Sequence, residues 1–375
     1  MAQWARFPWA DGVFANGDES ILRRAPAAAE NLYSNVSEGW SRFPGLRSFV
    51  SLPGEGRVVL KKFRDDMIAA CESGRVFRIG KAGSVQDVTG VPLSVGRRPI
   101  FAETEDRLII AAGGALLKLG NATTEVLSPS APDSTHVAWT DGYTVAIEAF
   151  SGRFRHSDPG EDDVWNDLSV FAAEGKPDSL NACIVTPFNE LLMCGPDSIE
   201  QFESLRSGDQ PFYRRWMTGE GLAHPYTLVA DKTGTYGVNG NAEFVRFQAQ
   251  VTRDQSTDIG LALRAVDDWT DAWAATCWVA GQNFIILQAP RATSEFYGVE
   301  GVTFLLDNRR RRWSFLWGFD ATTGRASCWP GWSVEMVWGK TYVGVNGGVA
   351  ELASDCYDNL GHPMRCLIRS AHVDD

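Results

Sequence analysis

The sequence has few of the features that mark membrane, secreted or disulfide-bonded proteins. No stretch approaches the roughly 18 apolar residues of a membrane-spanning helix, and the first residues, MAQWARFPWADG, lack the apolar segment of a signal peptide. The seven cysteines are an odd number without CxxC spacing, which indicates neither a complete disulfide framework nor a zinc ribbon. We therefore expect no membrane insertion, and assembly in a reducing intracellular environment.

Catalytic motifs are equally scarce. The chain has no HExxH, GxSxG or GxGxxG pattern, and the triplet Gly339-Lys340-Thr341 lacks the upstream glycine of a phosphate-binding loop. The five histidines are far apart and show no metal-ligand pairing. The sequence therefore predicts no catalytic residue, no cofactor and no metal site.

Positive charge is also in short supply. The formal net charge is −12 and the isoelectric point is near 5.0, which disfavours tight wrapping of nucleic acid because such binding needs many Lys and Arg contacts to phosphates. One basic run follows a predicted hairpin turn at Asp307 and Asn308, and we interpret it as entering a strand with alternating faces. Its members are candidates for DNA contact or for a subunit interface: Arg309, Arg310, Arg311 and Arg312.

What the sequence does contain is a strand pattern repeated seven times. Each unit has an apolar strand, a tight polar turn, a second apolar strand, a Gly-rich turn and a third strand, at intervals of about 35–55 residues. Gly, Asn and Asp recur in the turns because hairpins need positive φ. The first turns are predicted at 65–66, 105–106, 141–142, 188–189, 233–234, 282–283 and 339–340. The pattern predicts an all-β fold, a β-propeller of six to seven blades, seven by this count.

Both ends of the chain depart from this pattern. We predict an extended, irregular N-terminal arm over residues 1–47, the β-propeller over 48–356 and a C-terminal tail over 357–375. Either end could supply the strand that closes the ring of blades, and the C-terminal tail is one candidate.

Tryptophan is unusually frequent, with 14 in the chain. We interpret most of them as packing between blades, because Trp is usually well buried. A sugar-binding platform or a subunit interface is the alternative. The residues concerned are Trp139, Trp165, Trp216, Trp278, Trp313, Trp317, Trp329, Trp332 and Trp338.

Two stretches resemble a known family. They are ENLYSNVSEGWSRFPGLRSFV at 30–50 and SDPGEDDVWNDLSVFAAEGKPDSLNACIVTPFNELLMCGPDSIEQFE at 157–203. They are similar to the packaged-DNA stabilisation proteins of short-tailed bacteriophages, also called tail hub or nozzle proteins. The matching positions are Ser157, Asp158, Pro159, Trp165, Phe171, Ala173, Glu174, Gly175, Pro177, Asp178, Ser179, Glu190, Leu191, Gly195, Ser198 and Glu200.

The resemblance implies a structural, non-enzymatic virion protein. Members would form a homohexameric ring of the virion tail below the portal and the adaptor, extending the DNA channel and retaining packaged DNA until ejection. The implied partners are other copies of the chain, the adaptor, tail fibre, spike or needle proteins, and genomic DNA in transient contact. Assembly is expected in the host cytoplasm. An acidic chain suits this role, since the wall of a DNA conduit must not grip the phosphates.

Two other interpretations stay open. Propellers also occur as glycoside hydrolases and carbohydrate-binding proteins, for which paired carboxylates such as Asp141, Glu148 or Asp178 are candidates. The segment 158–167 is rich in acidic residues within one predicted loop, so a Ca²⁺ site is conceivable. The resemblance instead implies a turn formed by Asp158 and Pro159 and anchored by Trp165.

Overall fold

Seven antiparallel sheets, each with four core strands, follow one another along the chain and form the blades of a β-propeller. The computed structural model describes residues 28–35, 39–173, 175–205, 211–248, 251–293, 300–320, 322–323 and 325–369. The predicted fold class and the count of seven blades are therefore confirmed.

The first four blades are contiguous in sequence. Their strands, from the first to the fourth, are Val58–Phe63, Asp66–Cys71, Val76–Ile79 and Val85–Asp87 (blade 1); Ile100–Glu103, Leu108–Ala111, Leu117–Leu119 and Thr124–Val126 (blade 2); Val137–Thr140, Tyr143–Ile147, Arg153–Asp158 and Glu161–Ala172 (blade 3); Ala182–Val185, Leu191–Cys194, Ile199–Ser204 and Phe212–Thr218 (blade 4).

The last three blades contain the additions to the basic pattern. Their core strands are Val229–Asp231, Gly234–Val238, Phe244–Gln248 and Val251–Asp254 (blade 5); Trp273–Val279, Gln282–Ala289, Val302–Asp307 and Arg312–Phe315 (blade 6); Gly331–Val337, Lys340–Val345, Gly348–Ala353 and Gly45–Ser51 (blade 7). Two hairpins stand apart, formed by Leu32–Ser34 with Trp40–Arg42 and by Trp317–Asp320 with Arg325–Cys328. The short helices are the 3₁₀ turns Pro225–Thr227 and Thr257–Ile259 and the α-helix Gly260–Arg264.

The ring is closed from the N-terminal side. Strand Gly45–Ser51 pairs antiparallel with Gly348–Ala353, with Leu46 opposite Leu352, so it supplies the fourth strand of blade 7. The predicted boundary between residues 47 and 48 falls inside this strand. Residues 1–27 and 36–38 of the predicted arm lie outside the described residues.

The C-terminal segment extends two blades. Asp358–Asn359 and His362–Pro363 form a hairpin beside the closing strand of blade 7. Leu367–Arg369 pairs with Ala28–Glu30, which in turn pairs parallel with the fourth strand of blade 6. The two ends of the described chain therefore meet at the outer edge of blade 6.

The first turns follow the predicted chemistry, with small shifts in four blades. Those of blades 1 and 5 cover residues 64–65 and 232–233, one residue earlier than predicted. In blade 3, Asp141 (φ 51°) and Gly142 (φ 88°) have the two positive φ angles of a tight hairpin turn. In blades 6 and 7 the positive φ angles belong to Ala280 with Gly281 and to Trp338 with Gly339. The predicted turns at 282–283 and 339–340 were therefore two residues and one residue too late, because the glycine takes the second turn position in both hairpins.

Hydrophobic side chains fill the spaces between blades. Trp313 of blade 6 meets Phe244 of blade 5 edge-on at 5.7 Å between ring centroids. Trp313 and Trp329 are almost fully buried, which confirms the packing interpretation for them, whereas Trp278 is 46% exposed.

On the face where the first strands end, side chains also link neighbouring blades. These hydrogen bonds run from Trp338 Nε1 to Asp65 O (2.6 Å), from Arg64 Nη1 to Asn121 Oδ1 (2.5 Å), from Asn189 Nδ2 to Asp141 Oδ1 (3.0 Å) and from Asn308 Nδ2 to Asp231 Oδ2 (2.7 Å).

The closing strand gives a direct test of the architecture. Leu46 is fully buried, so we expect Leu46→Ala to lower the free energy of unfolding by about 2–5 kcal/mol through the cavity it leaves. Its neighbour Arg47 is exposed and forms a surface ion pair with Asp355 at 2.8 Å, so Arg47→Ala should change stability far less than Leu46→Ala. Urea denaturation measures both values. Equal losses in the two variants would contradict the closing role of this strand.

Candidate functional site

The first strands of all seven blades line one central channel. Side chains and backbone from each blade contribute to its wall, among them Lys61, Glu103, Ala138, Ile184, Ala230, Ala275 and Glu335. Because every blade repeats the same up-and-down order, all seven first strands run in the same direction along the channel. The channel therefore has one mouth where these strands begin and another where they end.

Side chains close the mouth where the first strands begin. Arg98 precedes the first strand of blade 2, and its Nη1 donates a hydrogen bond to the carbonyl oxygen of Trp332 in blade 7 (2.7 Å). Its guanidinium carbon also lies 5.0 Å from the ring centroid of Trp273 in blade 6. Tyr226, which precedes blade 5, stacks on His136, which precedes blade 3, with 5.3 Å between ring centroids. Residues from five blades thus meet across this mouth.

A cavity beside this mouth gathers three arginines and two carboxylates. It is lined by Arg57, Glu72, Arg97, Arg98, Tyr226, Asp271 and Trp332, together with backbone of their loops. The Arg57 guanidinium carbon stands 3.8 Å from the Trp332 ring centroid. Asp271 Oδ2 accepts hydrogen bonds from Arg57 Nη1 (3.1 Å) and from Arg291 Nε (2.9 Å). The carboxylates are thus held by arginine, and the cavity keeps an excess of positive charge.

Burial shapes the protonation of the groups around this mouth. It lowers the pKa of the Arg98 guanidinium to about 10, so this side chain still carries its charge near pH 7. It lowers the pKa of His136 to about 3, which keeps that imidazole neutral. It raises the pKa of the Tyr226 hydroxyl, which therefore remains a hydrogen-bond donor.

The sequence did not single out Arg57, Arg97, Arg98 or Tyr226. One sequence feature does point to this site: the pair Arg97-Arg98 stands directly before Pro99, in the loop that precedes the first strand of blade 2. This feature alone is weak evidence for a site, because the other residues of the cavity come from loops far apart in the chain.

The predicted basic run lies at the opposite face, in the last hairpin of blade 6. The prediction that all four arginines enter a strand is wrong: residues 308–311 form the turn and only Arg312 begins the strand. Asp307 Oδ1 accepts the backbone N–H groups of Arg309 (3.1 Å) and Arg310 (3.0 Å), which stabilises the turn. Arg311 has a φ of 57°.

These arginines differ in how they are held. The Nη1 of Arg310 donates to Gln282 Oε1 (2.7 Å) and to Asp307 Oδ2 (2.9 Å), and the Nη1 of Arg312 donates to Ser34 Oγ (2.7 Å). Arg309 and Arg311 are exposed.

The residues shared with the phage family form internal contacts between blades 3 and 4. The Asp178 carboxylate accepts hydrogen bonds from the Ser198 hydroxyl (3.0 Å) and the Asp197 backbone N–H (3.0 Å). A Cβ on Gly195 would stand only 2.3 Å from Asp178 Oδ2, so the carboxylate occupies the space that a side chain would need.

A second contact of the same kind surrounds Glu200. This side chain is buried, and its oxygens accept the Gly175 N–H (2.7 Å) and the Arg214 Nη1–H (3.1 Å). Glu174, another matching position, lies outside the described residues. Several of the matching positions thus fix the segment between blades 3 and 4 against blade 4.

The acidic segment 158–167 is mainly strand rather than loop. Its turn covers residues 159–160, and Trp165 is buried with its Nε1 donating to Asp162 O (2.8 Å). Asp162 Oδ1 accepts the Thr144 hydroxyl (2.8 Å), Asp163 lies 3.5 Å from both Arg107 and Lys118, and Asp167 lies 3.0 Å from Arg155. In the part of the chain that the structure describes, no three His, Cys, Asp or Glu side chains are placed to hold a metal ion.

The carboxylates considered for glycoside hydrolysis do not converge. Asp141 lies in the turn after the first strand of blade 3, whereas Glu148 follows the second strand, at the other end of the blade. Glu148 accepts a hydrogen bond from Arg153 Nε (2.7 Å). The Asp178 carboxylate accepts the hydrogen bonds from the second turn of blade 4 described above. None of the three is among the residues that line the channel or the arginine cavity.

By its architecture the chain is a closed seven-bladed β-propeller with hydrogen bonds that join neighbouring blades. The family model described as "Bacteriophage P22 Gp10, beta-propeller" matches residues 27–300, and the chain belongs to this family. The membership confirms the resemblance drawn from the two sequence stretches, and it supports a structural role in the phage virion.

Two solved structures with a similar fold show how widely this architecture occurs. The extracellular domain of the one-component system BT4673 from B. thetaiotaomicron is 10% identical, with a TM-score of 0.52 over 84% of this chain and 41% of that one. Streptogramin B lyase is 11% identical, with a TM-score of 0.52 over 82% of this chain and 96% of that one. At such identities the likeness shows the fold alone. A search of curated proteins finds no match. Within the described ranges, no helix is long and apolar enough to cross a membrane.

The family motif provides a matched pair of glycine variants. We expect Gly195→Ala to lower the free energy of unfolding by about 1–3 kcal/mol, because the new methyl group collides with the Asp178 carboxylate. Gly240 occupies the corresponding turn of blade 5 and has nothing within 4 Å of its Cβ position, so Gly240→Ala should change stability little. Thermal and urea unfolding of both variants measure the difference. If Gly195→Ala proves as stable as Gly240→Ala, Asp178 does not fix this junction.

Proposed function

We propose that this chain is a structural protein of a short phage tail, and that six copies form a ring below the portal and the adaptor. The ring extends the DNA channel and retains the packaged genome. Membership of the P22 Gp10 propeller family over residues 27–300 is the observation that carries this proposal. The protein would assemble in the host cytoplasm and become part of the virion tail.

The closed mouth of the propeller supports a ring of several subunits. Arg98 reaches blades 6 and 7, and Tyr226 touches His136, across a mouth that would have to open for DNA to pass. Duplex DNA is far wider than these contacts allow, since its major groove alone is about 12 Å across. DNA therefore passes outside each propeller, and a conduit requires several copies arranged around it.

The charge distribution suits a barrier that does not bind DNA tightly. The chain has a net charge of −12, and the exposed arginines of the basic run are only Arg309 and Arg311. Retention then depends on ring closure, with transient contact between the wall and the phosphates. The further partners in this proposal are the adaptor above and tail fibre, spike or needle proteins below. Of the predicted arm, residues 1–27 are proposed to contribute to attachment, since 28–30 and 45–47 belong to the sheets of blades 6 and 7.

A glycoside hydrolase or a carbohydrate-binding protein is the weaker interpretation. The carboxylates nominated for it lie at different ends of blade 3 and in blade 4, so they provide no acid pair around a common site. We therefore favour a non-enzymatic role.

The ring has a measurable stoichiometry. We expect tails of intact virions to contain six copies of this chain in a closed ring with a central hole, seen end-on by electron cryomicroscopy and counted by quantitative mass spectrometry. Isolated protein serves as the control. If ring closure needs the portal complex as a template, the isolated protein is expected to form a smaller oligomer or a monomer. A single copy per tail would exclude the proposed ring.

The barrier can be separated from direct phosphate binding. Particles lacking the protein should package DNA normally and then lose it, whereas particles with Arg309→Ala and Arg311→Ala should retain DNA like the wild type. The two replaced side chains are exposed, so ring assembly should be unaffected. Nuclease-sensitive DNA released from purified particles is the measurement, and replacing all four arginines extends the series. Intact rings that lose DNA as fast as particles without the protein would refute the barrier model.

A further inference from the structure

The arginine cavity at the channel mouth contains cationic groups that the chain does not neutralise. Asp271 is engaged by Arg57 and Arg291, and Glu72 lies 3.9 Å from the Nε of Arg57. Arg97 is exposed and makes no hydrogen bond or ion pair with any residue that the structure describes. Arg98 donates a single hydrogen bond, to a backbone carbonyl, and forms no salt bridge within the same residues; the nearby Asp271 carboxylate is held by Arg57 and Arg291. This local excess of positive charge stands against a net charge of −12 for the whole chain.

A neutral donor stands beside the two arginines. The Tyr226 ring is fixed by its stacking on His136, while its hydroxyl has no hydrogen-bond partner in the described part of the chain. Burial raises the pKa of this hydroxyl, so it keeps its proton, and burial leaves Arg98 charged near pH 7. The aromatic rings of Trp332 and Trp273 hold Arg57 and Arg98 in place. Two guanidinium groups and a phenol therefore line one cavity with unused N–H and O–H donors.

We propose that this cavity binds a phosphate group. A guanidinium presents paired N–H donors that match two oxygens of an oxyanion, and such charge-assisted hydrogen bonds are the stronger kind. Donors that come from three separate side chains suit a tetrahedral phosphate better than a planar carboxylate. The phosphate could be free in solution or belong to the backbone of an exposed DNA strand, and the chemistry of the site is the same. This inference stands independently of the proposed place in the tail.

Titration calorimetry of the full chain with inorganic phosphate tests the site, with chloride held constant. Arg97→Gln removes an exposed side chain that has no partner, so folding should be preserved, and we expect binding to weaken about tenfold. Arg98→Gln should weaken it at least as much, and Tyr226→Phe, which removes only the hydroxyl, should weaken it less. The control is Arg309→Gln with Arg311→Gln, which removes two positive charges at the opposite face and should leave phosphate binding unchanged.

A second titration distinguishes the two sources of phosphate. Binding of a short single-stranded oligonucleotide that inorganic phosphate displaces, and that Arg97→Gln weakens, supports recognition of the DNA backbone. Binding of inorganic phosphate alone supports a site for free phosphate. The proposal is overturned if neither probe binds at roughly 10 mM, or if binding is the same in wild type, Arg97→Gln and Arg98→Gln.

Discussion

The pairing of Gly45–Ser51 with Gly348–Ala353 is the constraint on which the rest of the structure depends. Without it, blade 7 would expose an unpaired edge. No backbone pairing would then join the two ends of the propeller, and blades 7 and 1 would be held together by side-chain contacts alone. Gly348 permits the close approach of the two strands, since a Cβ there would lie 2.4 Å from Val50 O. On the other side of the closing strand, a Cβ on Gly45 would lie 2.3 Å from Asp358 O of the C-terminal hairpin. Closure therefore fixes the positions of all seven first strands and, with them, the central channel.

The parts of the fold that were predictable from the sequence are the local ones. Hairpin turns depend on the few residues that tolerate positive φ, so Asp141-Gly142 marks its turn directly. The closing strand is different, because Leu46 and Leu352 are separated by almost the whole chain and only the completed ring brings them together. The same holds for Ala28–Glu30 and Leu367–Arg369, whose pairing at blade 6 no local pattern indicates.

The candidate site follows the same division. Sequence reasoning found Arg309 to Arg312 and the acidic segment 158–167 because their members are contiguous, and the structure engages many of these side chains in internal contacts. The sequence does not predict the grouping of Arg57, Arg98 and Tyr226, because these residues precede the first strands of three different blades. The motif shared with the phage family was recognisable in sequence, but its physical role was not: only the structure shows that Asp178 fills the space beside Gly195.

The two groups of arginines lie on opposite faces of the propeller, and they differ in how rigidly they are held. Arg57 and Arg98 are fixed by tryptophan rings and by acceptors from other blades, so their donors are preorganised. Arg309 and Arg311 extend from a turn into solvent, where salt screens their charge and each contact requires ordering of a flexible side chain. Specific recognition of an anion therefore favours the closed mouth, whereas the solvent-facing arginines suit weak contacts that form and break as a neighbouring surface moves past.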